Sequence, residues 1–153
     1  MHEEPVISIN FVDGAVDVTK HSMLPALGCG GECVFVGRTR PEHHALHGEL
    51  VELKYDCYQA MAATQLKQFA NEAHARFNAR AINICHSTGS VPVDAASVVI
   101  AVACNRRNDA FLACRYLIDS LKSQVPVWKQ EVWTNGKTWS TDASLSLREH
   151  VNK

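Results

Sequence analysis

The sequence has little that would direct it to a membrane, a nucleic acid or an export pathway. No apolar run in its 153 residues approaches the length of a transmembrane helix. Its 15 lysines and arginines nearly balance its 16 aspartates and glutamates, which argues against nucleic acid or an anionic membrane surface as a partner. The first residues, Met1 to Pro5, lack the basic and apolar regions of a signal peptide, so we expect a cytoplasmic protein. The length predicts one domain over residues 1–153.

The cysteines form no recognisable metal or disulfide pattern. Cys29 and Cys33 have a spacing that metal sites use, but no second Cys or His pair completes a zinc site. The nearest imidazoles, His43, His44 and His47, fall in a polar loop with irregular spacing. We therefore predict small buried thiols, kept reduced in the cytosol, and no metal. The six cysteines are Cys29, Cys33, Cys57, Cys85, Cys104 and Cys114.

Alternation of apolar and polar residues predicts most of the strands. In residues 6–12, Ile7, Ile9 and Phe11 alternate with polar neighbours, as in a strand with one buried face. Residues 98–103 are apolar throughout, which predicts a strand buried on both faces. The predicted strands cover residues 6–12, 32–40, 49–57, 81–85, 98–103 and 128–133, with Val51, Leu53, Tyr55 and Cys57 on the apolar face of the third.

Apolar residues spaced by three and four positions predict two long helices. The first carries the stripe Ala62, Leu66, Phe69, Ala73 and Phe77. The second covers residues 109–124, with Asn108 as its N-cap and Asp109 in its first turn. Its inward residues are predicted to be Phe111, Cys114, Leu117, Ile118 and Leu121. A short helix is expected over residues 145–151.

The remaining segments are predicted to be loops. Residues 41–44 and 87–94 are polar or rich in Gly and Pro, and Asn135-Gly136 is a tight turn. Hairpin signals and crossover segments occur together along the chain. This combination indicates an α+β sheet domain with two long helices and an antiparallel portion, rather than a regular doubly wound fold.

Two lysines stand on either side of a proline that ends a helix. Because Pro126 and the residue before it resist helix formation, Lys122 is predicted in the last helical turn and Lys129 in the extended segment beyond. Their amines can converge only if the chain folds back at this point. A convergent pair would suit an anionic substrate, and a desolvated lysine can act as base or nucleophile. The alternative is two solvated surface lysines.

Arginines supply further candidate anion contacts. Arg106 and Arg107 fall where a buried strand passes into a helix, whose free amides and dipole favour an anion. Their planar guanidinium groups suit a phosphate, although pairing with surface carboxylates is the alternative. Arg40 follows another predicted strand. His86 ends a further strand, where a histidine is more often structural than catalytic.

The lysines and the arginine pair are far apart along the chain's second helix. At about 1.5 Å per residue, Arg107 and Lys122 lie roughly 20 Å apart along its axis. One helix cannot bring both ends to one small ligand. Either the ligand is extended, or the two ends serve different parts of a site, or a second copy of the chain contributes.

Several short motifs occur in an order that a known family shares. The most specific is Lys-x3-Pro-x-Trp-Lys-x-Glu, which runs from Lys122 to Glu131. The others are residues 33–40, residues 53–58 with Met61, residues 84–86 with Gly89, and Arg106-Arg107 with Ala110-Phe111. Together they resemble the large, catalytic subunit of molybdopterin synthase over roughly residues 30 to 140.

The resemblance implies a reaction, a fold and a partner. Such subunits convert cyclic pyranopterin monophosphate to molybdopterin by inserting two sulfurs, which form a dithiolene. The sulfur arrives as a thiocarboxylate on the C-terminal glycine of a small ubiquitin-like subunit. The large subunits form a homodimer inside a heterotetramer, and their fold is of the α/β hammerhead type. The step needs no metal or redox cofactor, so the cysteines would be bystanders.

The resemblance also implies roles for particular residues. The family's two functional lysines fall on Lys122 and Lys129, its strand-exit arginine on Arg40 and its anion-binding arginine on Arg107. Lys122 would assist sulfur transfer, as acid/base or by covalent capture of the acyl tail. Lys129, the second catalytic lysine, would hold phosphate and pterin together with Arg40, Arg106 and Arg107.

One position departs from the family pattern. Many relatives have histidine where this chain has Arg106, and arginine keeps the charge but does not titrate near neutral pH. Phosphate binding should survive there, whereas proton transfer should not. Some relatives supply a further basic residue after the last tryptophan, for which Lys137 is the candidate here.

Two rival functions remain open from the sequence. A phosphoester hydrolase could use the arginine pair and His86, but it would need a metal cluster or a nucleophile that the sequence does not indicate. A binding scaffold could hold a ubiquitin-like tail and a phosphorylated ligand without catalysing a reaction, because Arg106 would weaken the catalytic activity.

Overall fold

Two β-sheets and two long helices make up the part of the chain that the structure describes, residues 3–140 of a computed structural model. In chain order the elements are β1 Val6–Val12, α1 Val18–His21, β2 Gly31–Arg38, β3 His43–His44, β4 Gly48–Cys57, α2 Gln59–Phe77, β5 Ala81–Ser87, β6 Ser90–Pro92, β7 Ala96–Cys104, α3 Arg107–Gln124, β8 Val127–Trp133 and β9 Gly136–Trp139. The helix expected over residues 145–151 lies outside the described residues.

The first sheet has the strand order β1-β5-β7-β2, with β1 parallel to β5 and the other pairs antiparallel. Its larger core lies between the sheet and helices α2 and α3, and includes Ile82, Ile84 and Ile100. A smaller core on the other face includes Cys85 and Val99 and packs near α1. Because helical segments lie on both faces, every residue of β7 is buried, which confirms the prediction from its continuous apolar run.

The second sheet has the strand order β3-β4-β8-β9, and β6 also pairs with β4. The register of β4 against β8 shifts between Leu50 and Glu52. Such a bulge adds a residue to one strand and interrupts the inside-outside alternation. Leu50 and Leu53 are therefore both buried while Val51 is exposed, and the expectation that Val51 lies on the apolar face was wrong.

The two long helices present the expected stripes with one exception. In α2, Ala62, Leu66 and Ala73 are buried, as their spacing predicts. In α3 the inward stripe follows Ala110, Ala113, Cys114, Leu117, Ile118 and Leu121. Phe111 is 61% exposed, so its predicted inward position was wrong. The physical reason is rotational, because Phe111 is turned about 100° from Ala110 around the helix axis.

Short elements account for the other differences from the sequence prediction. Residues 41–44 and 87–94 were expected to be loops, but each contains a short strand, β3 and β6, paired with β4. Helix α1 has four residues, too few for a helical period to show in the sequence. The last hairpin turns at Thr134 and Asn135, and Gly136 already belongs to β9. None of the helices within residues 3–140 has the length and hydropathy of a membrane span.

Candidate functional site

The chain segment around Pro126 places the two candidate lysines on adjoining elements. Lys122 lies in the last turn of α3, which ends at Gln124. Val125 is the extended C-cap residue, and its backbone N–H donates to the Leu121 carbonyl. Two residues later the chain enters β8, which carries Lys129. The proline thus ends the helix where the sequence predicts, and the chain passes directly into the second sheet.

Lys129 reaches the site through the pairing of β8 with β4. It lies directly opposite Tyr55, and residues opposite one another in an antiparallel pair project on the same face of the sheet. The Tyr55 ring in turn meets the His86 ring edge-on, with 5.0 Å between the ring centroids. Burial raises the pKa of Tyr55, so its hydroxyl is a neutral group beside the lysine. The contacts therefore run from Lys129 to Tyr55 and on to His86.

His86 lies near the end of β5, an inner strand of the first sheet, on the face that the long helices cover. It pairs with Val98 and shares the side of β5 that carries Ile82 and Ile84. Its side chain is buried, and its Nδ1–H donates to the Ser87 carbonyl oxygen at 2.7 Å. Because the carbonyl oxygen can only accept, the proton of the neutral ring is on Nδ1, and Nε2 carries the lone pair that can accept a hydrogen bond. His86 is thus a buried imidazole with one nitrogen engaged by the backbone.

The positive charges of both lysines act on His86. Burial is the main cause that lowers the pKa of His86, and the positive charges of Lys122 and then Lys129 lower it further. The hydrogen bond to the Ser87 carbonyl acts in the opposite direction. Two cations from different elements therefore act on one imidazole. A lone histidine at a strand end is more often structural than catalytic, and the place of His86 inside a family motif was the only sequence signal for a functional role.

The stability of the protein should depend on pH through His86. The ordinary histidine pKa is about 6.5, and the folded-state pKa of His86 is lower. As the pH falls below about 6.5 the unfolded chain takes up this proton first, so acid favours unfolding, and the stabilising contribution is complete only above that pH. We expect His86→Gln to make the free energy of unfolding less acid-sensitive than in the wild type. Urea unfolding at a series of pH values measures this, and parallel curves for the two proteins would contradict it.

Arg40 follows β2 at the same end of the first sheet's strands as His86. Arg38, the last residue of β2, pairs with Ala96 at the start of β7, two residues from the partner of His86. Arg40 follows the buried Thr39, and its own side chain is 83% exposed, with Nε 3.3 Å from the Glu42 carboxylate. An exposed ion pair of this kind is weak. Its guanidinium is therefore available to a stronger anion.

Arg106 and Arg107 lie at the start of α3, just after β7, at the opposite end of the first sheet's strands. The helix N-cap is Arg106 and not Asn108, because Arg106 is the last residue with extended backbone angles. No described side chain caps this end, and Asp109 lies in the first turn. Exposed amides and two exposed arginines form a positive surface suited to an anion.

Two glycines allow the loop before β2 to run against this helix start. The Gly30 N–H donates to the Asn105 carbonyl oxygen at 3.2 Å. A Cβ atom on Gly31 would lie 2.9 Å from the Cα of Arg107, closer than real side chains approach. The backbone contact therefore requires glycine and holds the arginine pair against β2.

The arginine pair and the lysine pair do not form one site within a single copy. Helix α3 has 18 residues, and Arg107 and Lys122 lie near its two ends. At about 1.5 Å per residue they are about 22 Å apart along the axis. Lys122 and Arg40 therefore lie towards one end of the strands of the first sheet, with Lys129 on β8 of the second sheet. Arg106 and Arg107 lie at the other end of these strands.

Three of the six cysteines are buried free thiols with little reactive character, whereas Cys29, Cys33 and Cys57 are half-buried, so their predicted burial was wrong. Cys85, Cys104 and Cys114 are buried, and burial raises the pKa of these thiols to about 11, about 11 and about 12. Cys114 also hydrogen-bonds with Cys33. Protonated, buried thiols are poor nucleophiles. Within residues 3–140, no three His, Cys, Asp or Glu side chains are grouped as a metal site requires.

A groove of about 380 Å³ lies against the second sheet. Its lining includes Lys54, Gln130 and Trp139. Lys54 and Gln130 pair with each other and alternate with Tyr55 and Lys129 along their strands, so their side chains project on the opposite face. Tyr55 also lines the groove, so the groove reaches the residue that lies opposite Lys129.

This mixed α/β chain presents Arg40, Arg106, Arg107 and Lys122 at exposed positions, and such positive groups suit an anionic ligand. A model of the MoaE protein family matches residues 11–124. The chain belongs to this family. Lys122 lies within the matched range and Lys129 lies just beyond it.

Curated relatives carry one name. The chain is 37% identical over 127 residues to the molybdopterin synthase catalytic subunit of Oryza sativa subsp. japonica, covering 82% of this chain and 65% of the rice protein. It is 37% identical over 145 residues to that of Arabidopsis thaliana, covering 94% and 72%. For the Homo sapiens protein the identity is 33% over 132 residues, covering 86% and 69%. The chain thus spans somewhat less than two thirds of the rice relative's length.

Solved structures share the fold. Molybdopterin synthase from Staphylococcus aureus matches with a TM-score of 0.77 and 27% identity, over 85% of this chain and 94% of that one. A molybdopterin biosynthesis MoaE protein from Burkholderia ambifaria matches with a TM-score of 0.68 over 98% and 99%. Its 24% identity supports the shared fold alone.

Proposed function

We propose that this chain is the catalytic subunit of a molybdopterin synthase. It would convert cyclic pyranopterin monophosphate to molybdopterin with two sulfurs from the C-terminal thiocarboxylate of a small ubiquitin-like subunit. The observation that carries the proposal is the passage of the chain at Pro126 from α3 into β8. It places Lys122 in the last helical turn and Lys129 opposite Tyr55, whose ring contacts His86. The relatives in rice, Arabidopsis and human carry the corresponding name, and the fold would be of the α/β hammerhead type.

The charges of the site fit the two reactants. The pterin carries a cyclic phosphate and the incoming tail a thiocarboxylate, so two anions must be held side by side. Positive side chains offset that repulsion, and at a partly desolvated site they do so more strongly than in water. Lys129 is half-buried and opposite Tyr55, so it would hold the anion at a fixed depth. Arg40, just after the end of β2, would contact the phosphate.

Lys122 would assist the sulfur transfer itself. It stands at the end of α3 on an exposed turn, where a flexible amine can reach a bound tail. Lysine suits this task because it can give up a proton and act as acid/base or nucleophile, which arginine cannot. The sulfur comes with the partner, so the proposal needs no metal or redox cofactor, and the buried thiols have no part in it.

Arg106 and Arg107 would serve the site of a second copy of the chain. They lie about 22 Å along α3 from Lys122, too far to reach a small ligand held there. In a two-fold homodimer the same surface of each copy forms the interface, so a part of that surface remote from a copy's own site can complete the partner's site. The arginine pair would bind phosphate in this way. Arg106 would supply a positive charge where many relatives have histidine, but it would not exchange a proton near neutral pH.

An apolar surface where β4 passes into α2, beside β8, fits a partner's tail. The ring of Tyr58, which precedes α2, meets the ring of Trp128 edge-on at 5.5 Å between centroids. Tyr58 is 66% exposed and Met61 is 54% exposed. Exposed apolar groups that cluster beside a charged site mark an interaction surface. The tail of the small subunit would lie here, with one small subunit on each copy of a dimer, which gives a heterotetramer.

A reconstitution assay tests the function directly. Purified chain is mixed with thiocarboxylated small subunit and the cyclic pterin, and the dithiolene product is measured. We expect product only when all three components are present. Complex formation without product would favour the scaffold, and phosphate release without the small subunit would favour the hydrolase. Small subunit with an ordinary C-terminal carboxylate is the matched control, because it can bind but brings no sulfur.

A further inference from the structure

We propose that the outer edge of β2 pairs with the same edge of a second copy of the chain, its partner subunit, so that their first sheets join across a two-fold axis. β2 ends the strand order β1-β5-β7-β2, and within residues 3–140 no strand pairs with its other edge. Its eight residues therefore turn alternate backbone N–H and C=O groups outwards, which forms a template for another strand. The inference rests on the proposed function and adds the surface through which two copies meet.

The sequence of β2 is complementary to itself. An antiparallel pair about a two-fold axis sets one residue opposite its own copy, and a register centred on Phe35 sets Glu32 opposite Arg38 of the partner subunit on one face of the sheet. Both charged side chains are exposed in a single copy. Val34, which is 42% exposed, then faces the partner's Val36. A register centred on Val34 would set Glu32 opposite the partner's Val36, so the charges favour the register centred on Phe35.

Helix α3 fits the same arrangement. It packs equally against β2 and β7, and strands are about 4.8 Å apart, so two such helices on the joined sheet would lie about 10 Å from each other. Packed helices have this spacing. Phe111 lies about 140° around α3 from Tyr116, which contacts Phe69 of α2, so Phe111 is on the side that faces the sheet edge. Its ring, 61% exposed in one copy, would be covered by the partner's α3.

The pairing brings the arginines of one copy to the lysine of the other. Gly31, at the start of β2, would lie opposite Thr39 of the partner subunit and next to the partner's Arg40. Arg107 lies against Gly31, since a Cβ atom on that glycine would be 2.9 Å from the Arg107 Cα. From there α3 runs along β2, so its first turn would adjoin the partner's last turn, which carries Lys122. The partner thus spans the distance of about 22 Å that separates the two groups in one copy.

A charge swap tests the interface without substrate or small subunit. Glu32→Arg sets like charges opposite each other at both contacts, and so does Arg38→Glu. Each variant alone should therefore raise the dissociation constant of the dimer about tenfold or more. An equal mixture of the two variants should dimerise again, because each contact then joins opposite charges. Sedimentation equilibrium measures these constants, and Lys67→Glu, on the exposed face of α2, is the matched control that should change nothing.

A further variant keeps the test decisive if one variant misfolds. Arg38 also donates from Nη1 to the Asp94 carbonyl oxygen at 2.9 Å, so Arg38→Glu removes a contact within the copy. Phe111→Asp changes an exposed side chain and should weaken the dimer about tenfold or more while the circular dichroism stays unchanged. If Arg38→Glu is misfolded, Glu32→Arg and Phe111→Asp alone decide. A wild-type chain that stays monomeric, or dimers of these two variants as tight as the wild type, would overturn the proposal.

Turnover separates this inference from the proposed function. At protein concentrations where Glu32→Arg and Arg38→Glu are each monomeric, neither should make dithiolene product, and their mixture should recover it. Dimers that respond to the charge swap but make no product refute the proposed function and leave the interface standing. Product made at the wild-type rate by chains whose dimers ignore the charge swap refutes the interface and leaves the proposed function standing.

Discussion

Replacing Lys122 with alanine is expected to lower the rate of product formation by about a hundredfold to ten-thousandfold, the range for loss of an acid–base or nucleophilic group. The change should leave the fold intact, because Lys122 is an exposed residue in the last turn of α3. Binding of the small subunit should survive, since the apolar surface of Tyr58 and Met61 is untouched. Single-turnover assays with thiocarboxylated small subunit, together with size-exclusion chromatography of the complex, measure the two effects.

Two further variants make this result interpretable. Lys67→Ala removes a lysine from the exposed face of α2 and should leave turnover near the wild-type value. Lys122→Arg keeps the positive charge but removes a group that can lose its proton near neutral pH. If Lys122→Arg is as impaired as Lys122→Ala, the amine takes part in chemistry; if it is nearly active, the charge alone matters. Near-normal turnover of Lys122→Ala would refute the role assigned to this residue.

Mixing two inactive variants is expected to restore activity if the arginines act across a dimer. Lys122→Ala and Arg107→Ala should each be strongly impaired as homodimers. A dimer with one copy of each variant has one site with both residues intact and one site that lacks both. We expect purified mixed dimers to recover about half of the wild-type rate per dimer, as two-fold symmetry requires.

The alternatives predict a different result for the mixed dimer. If Arg107 served the site of its own copy, each site would lack one residue and the mixed dimer would stay inactive. The control is a mixed dimer of Lys122→Ala with Lys129→Ala. Both lysines are placed in the same site, so each site of this dimer carries a defect and no recovery is expected. Light scattering of the wild-type chain, with and without the small subunit, checks the dimer on which the experiment depends.

The sequence predicted elements whose pattern is strong and local. The unbroken apolar run of β7 and the stripe of α2 have one structural solution each, because a fully apolar strand must be covered on both faces and a stripe must face a core. The end of α3 before Pro126 follows from the chemistry of proline. The local placement of Lys122 and Lys129 was therefore predictable without any coordinates.

Tertiary pairing decided the features that the sequence pattern missed. β3 and β6 are too short to show alternation and exist because β4 offers them hydrogen-bond partners. The bulge near Val51 depends on how β4 fits β8, and no single strand records it. Phe111 is apolar yet exposed, because the direction in which α3 meets the sheet set its inward face.

The sequence by itself determined which residues bear charge, where the helices end, and that one helix separates the arginine pair from Lys122. These properties follow from side-chain chemistry and from the rise of a helix. Only the tertiary structure decided that β8 returns beside β4, so that Lys129 lies opposite Tyr55, whose ring contacts the ring of His86. Contacts between strands far apart in the chain depend on register and burial, which no local pattern of residues encodes.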